Sequence, residues 1–152
     1  MREKLSDGVT RFTSGLLAVM FYGGMAATAA LPWLFRWAGK FYPVLRRHYW
    51  LHTILFMLAG VGAVLIIREL RRMFRTVLAE DCFVRQNVVS LRRMGFLGLG
   101  IAAVTLVRLM VIFTPATLLI ILVFFISALF SFVLSRVFDQ AVRYKEENDL
   151  TI

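Results

Sequence analysis

The sequence has little of what small soluble domains use for chemistry. A single cysteine, Cys82, leaves no internal disulfide and no thiolate metal cluster to be built. Two histidines, His48 and His52, have helical spacing but no third ligand nearby, so they are expected at a membrane interface and not on a metal. Acids number only nine, and none falls inside a long apolar stretch. There is no HExxH, no phosphate-binding glycine loop, no paired carboxylates within an apolar run and no Ser/His/Asp arrangement. These absences point away from an enzyme, and neither a cofactor nor a metal is expected.

What is abundant is apolar surface. The chain is 60% hydrophobic with 14 phenylalanines, and its mean hydropathy is +0.77. A soluble domain of 152 residues could not hide that much apolar area, so a bilayer is its expected solvent. The formal charge of +9 would suggest nucleic acid in a soluble chain. Here the basic residues lie mainly between apolar runs, where membrane topology accounts for them, and direct nucleic-acid contact is not expected.

Four apolar stretches predict an all-α, polytopic membrane protein forming one domain, with spans near 14–35, 50–67, 95–113 and 116–137. Each is close to the ~20 residues that cross ~30 Å of hydrocarbon as helix. The short second span can lengthen past Arg68, which can snorkel to the headgroups. The N-terminal MREKLSDGVTRFTSG reads as the lead into a retained first span. Pro32 is expected to kink or finish the first helix, and Pro115 to follow a tight turn ending at Thr114.

Orientation follows from the basic residues. Arg2, Lys4 and Arg11 precede the first span, seven arginines lie between residues 68 and 93, and Arg136, Arg143 and Lys145 follow the fourth span. Arg36, Lys40, Arg46 and Arg47 occupy the first loop. Placing both termini in the cytoplasm puts thirteen basic residues inside against these four outside. The middle segment 68–94 and the tail 138–152 are then cytoplasmic. On the outer side only RWAGKFYPVLRRHYW and the turn at Thr114 remain, which leaves no large extracellular site.

In the middle segment Leu70, Met73, Phe74, Val77 and Leu78 form one apolar stripe, while Arg71, Arg72 and Arg75 stand elsewhere on the helix. This basic amphipathic surface suits anionic lipid headgroups and could equally be read by a protein. After a break at Glu80-Asp81, Asn87 is expected to cap a new helix, with Arg92 and Arg93 at the inner interface. Within the membrane Arg108 is the one charged anomaly, one or two turns from the outer turn and expected to snorkel outward; no acid in any span can neutralise it, which weakens a proton-coupled transporter reading.

Small residues, among them Gly24, Gly60, Gly62, Gly95 and Gly98, offer close helix packing, and a homo-oligomer contact is a second use of the same faces. Phe124, Phe125, Phe130 and Phe132 are expected to pack on those faces. Trp33, Trp37, Trp50, Tyr22, Tyr42 and Tyr49 are read as an outer aromatic belt.

Two polar stretches, FVRQNVVSLRRMG and VFDQAVRYKEENDLTI, resemble the signatures of a family of small bacterial four-helix membrane proteins catalogued as domain of unknown function 2975. Phe83, Asn87, Val88, Leu91, Arg92, Arg93 and Gly95 match the middle motif, and Cys82 stands where the family commonly has proline. The resemblance implies a multi-pass protein of the bacterial inner membrane. Its relatives are often encoded beside a helix-turn-helix regulator, which suggests that the chain sequesters such a regulator at the membrane.

The residues expected to bind that partner are Arg71, Arg72, Arg75, Phe83, Asn87, Arg92 and Arg93, with Glu146, Glu147, Asn148, Asp149 and Leu150 of the tail. Within the chain, the tail acids have Arg71, Arg72, Arg75, Arg92 and Arg93 as expected partners, with apolar help from Leu150 and Ile152. Alternatively, the LTI ending adds a strand to a soluble protein. Peptide or toxin immunity, small-molecule transport and a structural or lipid-organising role stay open as alternative functions.

Overall fold

The computed structural model describes residues 2–151, with side chains apart from those of residues 2–7 and Val44. Ile152 lies outside the described residues. Four long helices, α1 (Arg2–Ala38), α3 (Tyr49–Leu78), α4 (Arg85–Val111) and α5 (Pro115–Leu150), are joined by short links, the first of which contains the short helix α2 (Pro43–Arg47). All four long helices are long and apolar enough to cross a membrane. At ~1.5 Å per residue the 36 residues of α5 extend about 54 Å, well beyond ~30 Å of hydrocarbon, so its polar end projects past the membrane.

The helices form an open row. α1 packs on α3, α3 on α4 and α4 on α5, whereas among the described residues α1 does not pack on α4 or α5, nor α3 on α5. One or more glycines bring each seam together. A Cβ on Gly60 would stand 2.7 Å from the Thr28 hydroxyl of α1, and one on Gly62 2.9 Å from the Ile101 side chain of α4. On α4 a Cβ at Gly95 would meet the Phe132 ring of α5 at 2.8 Å, and one at Gly98 would meet the Ala128 Cβ at 3.3 Å. Dispersion falls steeply with separation, so in lipid, where water does not drive helices together, these close approaches supply the packing.

The pattern of burial is that of a protein dissolved in hydrocarbon. Many buried positions are small or polar, including Gly62, Thr105, Thr117, Ala128 and Ser135, while Phe130, Val133, Leu119 and Met110 face outward. On the α4-facing side of α3 the buried residues Leu55, Gly62 and Glu69 recur every seven positions, and Thr76 continues the series; on α5, Ala128, Ser135 and Val142 do the same. A sevenfold repeat keeps one face of a helix against its neighbour over many turns.

Several expected boundaries move. α1 runs through Pro32 to Ala38 without finishing at the proline, whose carbonyl accepts a hydrogen bond from the Tyr49 hydroxyl at 2.9 Å. The third helix begins at Arg85, ten residues before the apolar span, because polar residues as well as apolar ones pack on its neighbours. Asn87 does not cap it. The N-cap is Val84, and Asn87 lies within the first turn with its side chain turned to α3 and the loop. The turn ending at Thr114 is as expected, with Pro115 opening α5.

Candidate functional site at the polar end

α3 extends beyond its apolar span to Leu78 and ends in a left-handed residue. Glu80 has φ 58°, and the backbone N–H groups of Glu80 and Asp81 donate to the carbonyls of Val77 and Thr76. These are the paired bonds of a Schellman stop, which usually places glycine where Glu80 stands. The reversal turns residues 79–84 back toward α4.

Asn87 fixes that loop. It is buried, and its Nδ2 donates to the Thr76 hydroxyl at 2.7 Å and to the Cys82 carbonyl at 2.8 Å. The Thr76 hydroxyl donates in turn to the Met73 carbonyl. One side chain thus ties the last turn of α3, the loop and the first turn of α4 together. Cys82 contributes its backbone carbonyl to this knot.

One layer deeper, Glu69 is buried between α3 and α4. Ser90 donates to Glu69 Oε2 at 2.7 Å, and Arg93 approaches Oε1 at 3.6 Å. A carboxylate taken from water in this way is tolerated because a hydroxyl and a guanidinium face it. Across the other seam, Ser135 of α5 donates to the Val88 carbonyl at 3.0 Å.

Against this assembly the tail docks in cis, as a helix. Arg85 is the centre of the contact, pairing with Asp139 at 3.0 Å and Glu146 at 3.1 Å. Lys145 reaches Asp81 in the loop at 2.8 Å, and this hydrogen bond holds the Lys145 pKa above its ordinary value. Arg143 pairs with Asp139 one turn away along α5, and Phe83 packs its ring on Phe138 at 5.5 Å. Val142, buried beneath the ion pairs, supplies the apolar contact.

The expected partners of the tail therefore give way to others. Arg85 takes the tail acid Glu146, whereas Arg93 is turned to Glu69 and Arg71 lies over the rings of Phe21 and Tyr22 at 5.1 and 5.5 Å. Arg71 and Arg72 are on α3, which among the described residues does not pack on α5; α4 and the 79–84 loop lie beside the tail. Tyr22 belongs with Arg71 and not with an outer belt. Leu150 is helical and 88% exposed, so it adds no apolar docking to the tail.

Sequence reasoning missed Glu69, Ser90, Arg85 and Ser135. The sevenfold spacing from Gly62 through Glu69 to Thr76 was the signal available for the α3 residue. Phe83, Glu146 and Asp149 line one hollow beside the loop that Asn87 ties, Arg93 lies deeper on Glu69, and Arg92, Glu147 and Asn148 are outward-facing. Arg71, Arg72 and Arg75 line a separate hollow of about 340 Å³ with Arg68.

The aromatic expectation divides as well. Phe132 packs on Gly95 and Phe124 lines an intramembrane groove, but Phe125 and Phe130 point outward. Arg108 does not reach out from the bundle. Its guanidinium lies 4.7 Å from the Phe56 ring centroid on α3 and donates to Thr117 on α5 at 3.0 Å.

Long apolar helices, polar buried seams and lipid-facing hydrophobes define a multi-pass helical membrane protein. Residues 29–152 match the family described as protein of unknown function (DUF2975), and the chain belongs to that family. No match was found among curated proteins or among solved structures.

Proposed function

We propose that this chain is a bacterial inner-membrane docking protein, with both termini and the 79–84 loop in the cytoplasm, that holds a soluble regulator at the membrane. The supporting observation is the tail: a helix held to α4 by Arg85 and to the loop by Lys145, with Glu147, Asn148 and Leu150 outward-facing and Asp149 beside the half-exposed Phe83. Docking in cis rigidifies this surface, so a partner need not meet the cost of ordering a loose peptide. A helix-turn-helix regulator is the partner that the family resemblance suggests.

The test is co-purification from mild detergent of the tagged full-length protein with a co-expressed helix-turn-helix regulator of the kind that the family resemblance suggests. Glu147→Lys with Leu150→Asp should abolish capture at unchanged abundance. Capture that survives this pair, or no capture by the wild type, defeats the reading.

A lipid-organising role has its own observation in Arg68, Arg71, Arg72 and Arg75, which line one hollow that no acid shares among the described residues. Such a cluster suits anionic headgroups. On that reading tail substitutions are silent, and Arg72→Gln with Arg75→Gln lowers the anionic lipid that co-purifies.

A further inference from the structure

The open row of helices is curved. Residues from α1, α3, α4 and α5 line one groove of about 300 Å³, with apolar walls formed by side chains such as Leu31, Leu55, Ile101 and Phe124. Small residues of α3, Ala59, Gly60 and Ala63, form part of its lining. The volume is at the low end of the ~300–1,000 Å³ typical of small-ligand sites.

Arg108 lies at one end of this groove. Its Nη1 is used by Thr117 and its face by Phe56, but its Nε is buried and has no hydrogen-bond partner among the described residues. No acidic residue occurs in the sequence between Glu80-Asp81 and Asp139, between Asp7 and Glu69, or therefore at the depth of Arg108. On the same stretch of α3, one turn before Phe56, buried His52 has an Nδ1 without a hydrogen-bond partner among the described residues. A guanidinium cannot shed its charge, and holding it in an apolar setting is unfavourable unless an anion meets it. Snorkeling does not answer this, because the guanidinium is turned inward across both neighbouring helices.

Arg108 stands in the last turn of α4, three residues or about 4.5 Å along the helix before its end at Val111, near the depth of the acyl–headgroup boundary. We propose that the groove binds a single-chain anionic amphiphile, its alkyl chain along the Ala59-Gly60-Ala63 side and its anionic head on Arg108. A carboxylate or a phosphate monoester or diester supplies the same chemistry, from a free fatty acid or from a lysophospholipid. This site is distinct from the polar end and does not depend on regulator docking.

The experiment measures binding to the purified full-length protein in a neutral maltoside detergent. Palmitate and lysophosphatidylglycerol are the two anionic probes, and hexadecanol is the neutral control of equal chain type. The wild type should bind at least one anionic probe at least about tenfold more tightly than hexadecanol, since a charged hydrogen-bonded pair contributes on that scale. Preference between the two anions identifies the source.

Arg108→Gln should abolish the anionic preference while retaining hexadecanol binding. Ala59→Phe, which fills the groove and leaves the cation, should weaken all three. Equal binding of palmitate, lysophosphatidylglycerol and hexadecanol overturns the proposal, as does an unchanged preference in Arg108→Gln. So does a purified homodimer whose interface is the groove and whose stability the anionic probes do not alter.

Discussion

Asn87→Ala offers the sharpest test of how the polar end is held. The substitution removes two hydrogen bonds, to the Thr76 hydroxyl at 2.7 Å and the Cys82 carbonyl at 2.8 Å. Each contributes about 0.5–1.5 kcal/mol net, and a buried carbonyl left without a donor costs about 1–3 kcal/mol. Part of this is returned, because Asn87 Oδ1 is itself buried without a partner among the described residues. The balance is about 2 kcal/mol, or roughly a 30-fold rise in local opening.

Hydrogen–deuterium exchange reads that opening directly. The amides of Glu80 and Asp81 are protected by their bonds to Val77 and Thr76, and Asn87 ties Thr76 to the loop. A peptide covering residues 78–86 should therefore exchange faster by that factor, while the α4–α5 seam around Gly95 and Phe132 stays unchanged. Arg85→Gln is the contrast: Arg85 is 57% exposed, water screens its ion pairs, and exchange should rise less than about fivefold. If Asn87→Ala changes protection by less than about threefold, the loop is held by something other than this knot.

Other perturbations separate the remaining contributions. Glu80→Gly should raise the melting temperature in detergent, by about 1 kcal/mol of stability, because glycine accepts φ 58° without a Cβ clash; a lower melting temperature would refute the strain argument. Gly95→Ala drives a Cβ to 2.8 Å from the Phe132 ring and should destabilise by about 1–3 kcal/mol, whereas Gly100→Ala, which meets nothing within 4 Å, should be neutral or stabilising. Ser90→Ala takes the hydroxyl from buried Glu69 and should cost about 1–3 kcal/mol in the same melt, more than Ser127→Ala on the exposed face of α5. Cys82, the sole thiol, should react with a membrane-impermeant maleimide only after cells are opened; reaction in intact cells would reverse the proposed topology.

Much of the architecture was legible because its signals are additive along the chain. Four runs near the length of a bilayer, the Thr114-Pro115 turn and the continuation of α3 beyond Arg68 all follow from hydropathy, proline geometry and periodicity. The polar site was less legible. Tail acids, Phe83, Asn87 and Arg93 stand out by type, but their partners depend on which helix lies beside which. Arg71, Arg72 and Arg75 have the right charge for the tail and the wrong helix, and Arg85 has both.

By itself the sequence determined that the chain is solvated by lipid and crosses it four times, since transfer of apolar side chains from water is a sum over residues and needs no partner. It could not say which apolar face turns inward, because lipid tails and a helix neighbour are equally apolar to Leu or Phe. Only the tertiary structure decided that, through close approaches at Gly60, Gly62, Gly95 and Gly98 that depend on two backbones at once. The same pairing placed Arg85 between Asp139 and Glu146 and turned Arg108 toward Phe56 and Thr117, because directional contacts exist only when both partners have been positioned.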